Sequence, residues 1–425
     1  MVFCDSIEKD EYEDFVSSHP TKSHFMQSTG WGEFNRIERK LTPYYVGLKD
    51  EGRLVAAALL LMRKPFLFPP YFYSPRGFVI DFFDHQLLTV FCNEVSNFCR
   101  AIGAMFLKID PDIELYAINE QGQPIVEAGD NRPLIDKLKQ LGFTHLGFNK
   151  EFERRQPRYT FRIDLTPTKQ EILAAVRGNV LKNVRKCETN YLTEIYEGGA
   201  SDVENLYRLI HETSLRDEFY AYSEGFYKNF YDVLSRYDMV KLYMGKIYIH
   251  KTIESLKQQL MLIQAQKEGY TKPQKIRQAK ETEQRLIKEI SQFEHYAEQY
   301  GHCAVTAAHL VVRYGDKAWA VHAGSSGDMN ETFLNNRLYL HKIIDQKDNG
   351  AVLLDQFGTV GDWQTSTHRS LHEFKRQFGG RYIEFLGEFD LVIRRFWYNI
   401  YVNTLPRYRN GLFNLKAVVR KVLKR

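Results

Sequence analysis

Asp110 and Asp112 bracket Pro111 at the end of an apolar strand, where an acid could orient an amine or take its proton; in such a loop the same carboxylates equally cap a turn. Arg76, in the turn Ser74-Pro75-Arg76-Gly77, could meet a phosphate or carboxylate, or form a structural ion pair. Arg177, Lys182, Arg185 and Lys186 place four cations and no acid on one helical stretch. That is the footprint of a polyanion contact, the alternative being a solvated helix face. Taken alone, Lys375 reads as a surface lysine on a helix, and Arg216 as the ion-pair partner of Asp217. His368 and His372 are four apart, as metal ligands can be, but no third ligand has suitable spacing, so neither a metal nor a cofactor is expected. The chain has no Walker A loop, no GxGxxG and no GxSxG, which removes the sequence support for nucleotide hydrolysis, dinucleotide chemistry and a hydrolase elbow.

Elements of several kinds must position these groups. With 425 residues the chain is too long for one ordinary core and suits two or three domains. Its charged and apolar fractions are those of a globular protein, and the 14% aromatic share suggests a groove lined in part by tyrosines. No run approaches the roughly 18 apolar residues of a bilayer-spanning helix, and the acidic N-terminal stretch lacks the order of a signal peptide. Five cysteines without CxxC spacing fit a reducing cytoplasm. The net charge of +5 is uneven: from Leu391 onward there are nine Lys and Arg and no acid, leaving 49 cations against 53 acids in a body at −4. A basic site in the body must therefore be local.

A pattern of hairpin, loop, helix and strand ending at an acid occurs twice. The first copy runs from Pro43–Arg63 through a helix at Leu87–Ile102 to Ala104–Asp112; the second runs from Ala304–Ser326 through Asn335–Gln346 to Ala351–Gly358. This predicts a mixed α/β protein with an internal duplication. Between the copies, Ile249, Ile253, Leu256, Leu260 and Ile263, then Ile276, Ala279, Glu283, Leu286, Ile290, Phe293 and Ala297, keep a coiled-coil rhythm on either side of a Gly/Pro break, predicting an inserted antiparallel helical arm. Leu412 to Leu423 alternate apolar and basic residues at helical spacing, suited either to an anionic membrane surface or to packing on the body.

Seven segments in order, FMQSTGW (Phe25 to Trp31), YSPRGFVIDF (Tyr73 to Phe82), KIDPD (Lys108 to Asp112), QPRYTF (Gln156 to Phe161), RGNVLKNVRK (Arg177 to Lys186), EFKRQFGG (Glu373 to Gly380) and GEFD (Gly387 to Asp390), resemble the FemABX family of non-ribosomal peptidyltransferases over nearly the whole chain. The resemblance implies two GNAT-like subdomains, the first at 1–155 and the second at 156–245 plus 302–404, with a coiled-coil arm at 246–301 and a basic C-terminal helix at 405–425. It implies an aminoacyl-tRNA donor and the stem-peptide lysine of a peptidoglycan precursor as acceptor, with Gly, Ala or Ser transferred. By the resemblance, the arm suits the longer members acting on lipid-linked precursors, which implies lipid II, met at the inner membrane face through the basic tail by a cytoplasmic, peripheral enzyme; association as a homodimer or with paralogues stays open.

By the same resemblance Lys375, after Phe374, stabilises the transition state and helps deprotonate the amine; Asp110, from the residues alone, is a further candidate acid or base. Arg216 lies against the precursor's diphosphate and Tyr220 in the groove. A second phosphate contact, a lysine four residues after Trp31 in the family, is Asn35 here; Arg36 adjoins it but is turned about 100° round a helix. Two other readings stay open at this stage: an acyl-CoA-dependent N-acyltransferase, for which no clear (R/Q)xxGxG/A loop is present, and a non-catalytic membrane-surface adaptor.

Overall fold

The computed structural model describes residues 1–405, apart from 120, 126–128 and 152–154. The expected C-terminal helix therefore lies outside the described residues from 406 onward. The chain divides into two units: Met1–Thr160 with Gly358–Arg369 and the chain from Arg381, and Phe161–Phe357 with Ser370–Gly380.

The sheet of the first unit is built from β1 (Val2–Cys4), β2 (Thr42–Asp50), β3 (Arg53–Arg63), β4 (Tyr71–Ser74), β5 (Phe106–Ile109) and β6 (Phe143–His145). β2 and β3 are joined through Glu51 and Gly52, both at positive φ, the two-residue hairpin turn whose twist suits flanking strands. Helix His85–Ile102 starts because the Asp84 carboxylate accepts from the N–H groups of Gln86 and Leu87, and it stops at Gly103 in the left-handed conformation. Its inward stripe, Leu88, Phe91, Cys92, Val95 and Cys99, joins Val46, Leu60, Phe72 and Leu107 in the core.

The second unit contributes β7 (Tyr159–Asp164), β8 (Thr193–Gly198), β9 (Val240–Tyr248), β10 (Cys303–Tyr314), β11 (Lys317–Ser325) and β12 (Leu353–Asp355). Gly315 opens the β10–β11 turn at positive φ. By contacts the chain from Arg381 returns to the first unit, with β13 (Arg381–Glu384) paired beside β7 and β14 (Phe389–Val392) entering the first sheet.

The two sheets repeat one plan. In the first, the order is β1-β2-β3-β4-β5-β14-β6, antiparallel except for the parallel pair β4–β5. In the second, β8-β9-β10-β11-β12-β7 follow with the same directions, the parallel pair being β11–β12, and β13 is the edge strand beside β7. The expected boundaries differ from the contact units here. The chain from Arg381 falls with the N-terminal unit, not with 302–404, because β14 is hydrogen-bonded between β5 and β6.

Ile249–Glu268 and Pro273–Tyr300 form the helical pair anticipated between the copies. Ile253 and Leu256 bury against Leu286, Ile290 and Phe293, and cross-pairs Lys257–Glu294 (2.7 Å) and Lys267–Glu283 (2.6 Å) fix an antiparallel register. Among the described residues no helix is long and apolar enough to cross a membrane.

Candidate active site

Lys375 lies in the last turn of helix Arg369–Arg376. Two glycines place it. Gly379 and Gly380 both take positive φ, and a Cβ on Gly380 would come within 2.8 Å of the Arg162 carbonyl oxygen, so the chain can turn this tightly only without side chains. The Lys375 Nζ donates to the Phe357 carbonyl at 2.5 Å. Loss of hydration pulls its pKa from 10.5 down to about 7, against the opposing pull of the Asp355 carboxylate. An amine so tuned exists in both protonation states near neutrality, as a proton-transfer group requires. Phe374, its neighbour, packs edge-on against Tyr339 (5.2 Å) and Phe378 (5.1 Å).

Phe374 also lines a cavity of about 270 Å³ with Ser325, Ser326, Asp328, Asn335 and Asn336. Arg216, at the end of helix Val203–Arg216, holds the wall of that cavity: its Nη1 donates to the Ser325 carbonyl at 3.2 Å, while its Nε pairs with Asp217 at 3.0 Å. Arg216 thus bonds to one residue of the cavity lining, and Lys375 follows the lining Phe374 in the chain. Tyr220 follows Arg216 and is 90% exposed.

A group that the sequence reading did not single out sits behind this pocket. On helix Leu334–Asp348, Asn335, Tyr339, Lys342 and Gln346 recur at intervals of four, three and four, and form one inward stripe. Lys342 is fully buried, its Nζ makes no hydrogen bond, and it rests 3.4 Å from the Tyr339 ring centroid. Burial first, then the nearby Lys375, holds its pKa well below the ordinary lysine value. His309 binds Asn335 Oδ1 through Nε2 at 2.8 Å; burial and then Lys342 hold its pKa well below 6.5, so its ring is neutral. The signal was available: the helical period puts Lys342 on the face that should be apolar.

Such an amine destabilises the fold. Below about 10.5 the unfolded chain carries a proton that the folded Lys342 does not, so the cost grows as pH falls from there. Lys342→Met is expected to stabilise the protein by about 1–3 kcal/mol at neutral pH, with the gain shrinking as pH approaches the ordinary lysine value. Denaturant midpoints at two pH values check this. Packing alone gives no reason for the residue, which marks the region as one shaped by something else.

The remaining candidates lie elsewhere. Arg177, Lys182 and Arg185 are exposed at the start and outer face of helix Gly178–Asn190, whereas Lys186 rests 5.1 Å from the Phe333 ring. In the first unit, Arg36 is exposed and doubly bonded to Glu33, while Asn35 is buried and donates to the Trp31 carbonyl. Asp110 is buried, accepting from the Tyr73 hydroxyl (2.9 Å) and the Arg76 N–H (2.7 Å); burial raises its pKa to about 6 against the Arg76 charge. The Arg76 guanidinium donates to the Pro157 carbonyl and lies 4.4 Å over Phe385. The opening motif joins this cluster through Gln27, whose amide donates to Ser74 Oγ and the Pro75 carbonyl and accepts from Leu59. Lys108 binds Glu388 (2.8 Å) and Asp390 (2.9 Å), tying KIDPD to GEFD.

The FemAB family model matches residues 7–404. The chain belongs to the FemAB family. It is 26% identical over 422 residues to a lipid II:glycine glycyltransferase of Staphylococcus haemolyticus, covering 95% of this chain and 96% of that one. A protein of the same description from Staphylococcus aureus is 25% identical over 439 residues, covering 99% of each. Among solved structures, FemX superposes with a TM-score of 0.76 at 22% identity, covering 94% of this chain and all of FemX. The fold is mixed α/β, shared with FemX, and the FemAB chain is an enzyme of the acyltransferase class.

Proposed function

We propose that the protein transfers glycine, alanine or serine from aminoacyl-tRNA to the stem-peptide lysine of lipid II, in building the peptidoglycan cross-bridge. The observation that carries this reading is the dehydrated Lys375 amine held on the Phe357 carbonyl, next in the chain to Phe374, which lines a small cavity one of whose residues, Ser325, is bonded by Arg216. The glycyltransferase relatives, alike in length, favour glycine.

The acceptor amine attacks the ester carbonyl, the C–O bond to the tRNA ribose breaks, and one proton must leave the nitrogen. A free lysine ammonium is a weak acid, but the nitrogen becomes far more acidic once it has attacked. Neutral Lys375 takes that proton and, now a cation, faces the oxyanion with its point charge in a partly dry site. The leaving ribose hydroxyl then receives a proton, restoring the amine. Arg216 suits the precursor diphosphate through bidentate donation, exchanging Asp217 for it. Arg177, Lys182 and Arg185 supply a sequence-blind contact for the donor's backbone. The repeated sheet plan supports an internal duplication as the origin of the two units. The enzyme would work in the cytoplasm, peripheral to the inner membrane face.

The test is transfer of radiolabelled amino acid from charged tRNA to lipid II. Appearance of label in the stem peptide is the expected result; its failure to appear with tRNAs carrying any of the three amino acids overturns the reading.

A further inference from the structure

The chain between β3 and β4, Lys64-Pro65-Phe66-Leu67-Phe68-Pro69-Pro70, is built to hold apolar side chains in solvent. The Phe68 N–H reaches the Pro65 carbonyl at 3.4 Å, closing a turn. Leu67 has φ +67, at the position where such a turn ordinarily takes glycine. A branched side chain in the left-handed region costs about 1–2 kcal/mol. Here the cost brings no intramolecular burial, for Phe66 is 88% and Leu67 78% exposed. Strain of this kind persists where the presented group has a use.

The turn is not a loose tip. Phe68 packs edge-on against Trp397 (6.0 Å) and Tyr401 (5.2 Å), and Tyr71 packs on Phe106 and Tyr401 beneath. The segment Arg395–Thr404 is thereby fastened to the turn, and its Phe396 is exposed as well. Exposed Lys64 and Arg395 belong to the same two segments, and exposed Arg63 and Arg394 directly precede them. Neither Arg63–Tyr71 nor the chain from Leu391 contains an acid, and residues 406–425, which continue from the fastened segment, add seven Lys and Arg. Protruding Phe and Leu among cations, with none of the opposite charge, match an anionic bilayer in both respects: apolar side chains for the acyl boundary, cations for the headgroups.

We propose that the Pro65–Phe68 turn, braced by Arg395–Thr404, docks the protein on anionic lipid bilayers, with Phe66 and Leu67 inserting below the headgroups. The biological sense of this surface rests on the reading that the acceptor is lipid-linked; its geometry does not.

The experiment is co-sedimentation of the full chain with phosphatidylcholine vesicles, with and without phosphatidylglycerol, run beside transfer assays on acceptor dissolved in detergent. The wild type is expected to partition onto the phosphatidylglycerol vesicles. Phe66→Ser combined with Leu67→Gly should partition at least about ten-fold more weakly while keeping transfer in detergent. Leu67→Gly suits the left-handed φ, so it keeps the turn and separates lost insertion from lost folding. Phe66→Trp gives a second readout: a blue-shifted, lipid-quenched emission on these vesicles only.

Partitioning unchanged by the double substitution overturns the proposal, as does a variant whose sole change is a dimer turning monomeric, which would assign the surface to a second copy. If the wild type transfers nothing yet still needs Phe66 to bind vesicles, the docking surface stands and the proposed reaction falls. If it transfers but vesicle binding ignores Phe66, the reverse holds.

Discussion

Lys375→Met should lower turnover by about 10²–10⁴-fold with little change in the KM for the acceptor, and Lys375→Arg should not restore it. The reason is protonation. With a pKa near 7, Lys375 is a neutral base above that value and a cation below it, so the wild-type rate should rise with pH through about 7. Arginine stays protonated throughout and cannot take the proton. Steady-state kinetics across pH, for the wild type and both variants, separate this from its competitor. Were the cation the acting form from the start, the rate would fall over the same interval and arginine would rescue part of it. Methionine removes the hydrogen bond to Phe357 and arginine changes its geometry, so a thermal melt of each must accompany the kinetics.

A second large effect is expected far from that amine, in folding rather than turnover. Arg158 is buried, with Nη2 on Glu384 at 2.6 Å, Nε on the Phe385 carbonyl and the guanidinium 4.0 Å over Phe148. The same Glu384 oxygen accepts from Tyr159. Glu384→Ala leaves a dehydrated cation without its counter-charge and a phenol without its acceptor, at a cost of about 3–5 kcal/mol. The pair itself contributes much less than its rupture takes away, since both ions were removed from water to form it. Arg158→Met together with Glu384→Leu should therefore fall well short of the Glu384→Ala loss. Denaturant unfolding of the single and double variants measures both values; equal losses would show that the ion pair stabilises outright.

How much of this was legible beforehand depends on whether the determinant was local. The two hairpins, the helices at His85–Ile102 and Leu334–Asp348 and the helical arm follow from alternation, caps and heptads within a few residues, and they stand where the periodicity put them. The placement of β14 does not. Its pairing with Lys108 and His145 joins segments remote in sequence, and nothing in Phe389–Val392 names those partners.

Motif reading was uneven for a related reason. Phe374-Lys375 was found by resemblance, because solvent exposure rather than dehydration is the default reading of a helical lysine. Lys342 reads as one more polar residue until its helical phase assigns it inward beside Tyr339. Arg36 could be placed by phase: one step from the buried Asn35, it faces water and Glu33. Gln27 and Lys108 look like site residues in a string of letters, but their hydrogen bonds and ion pairs bind segments of the first unit to one another.

The position of β14 also has a bearing on synthesis. A ribosome emits β5 and β6 long before it reaches Phe389, and each then offers backbone N–H and C=O groups along the side that β14 will later fill. The N-terminal half cannot close its sheet as it emerges, whereas the second sheet lacks only its edge strand, β13, once Asp355 is out. Nascent chains stalled before Val392 therefore carry an open slot that invites strand exchange with a neighbour, and the half made first is the half finished last.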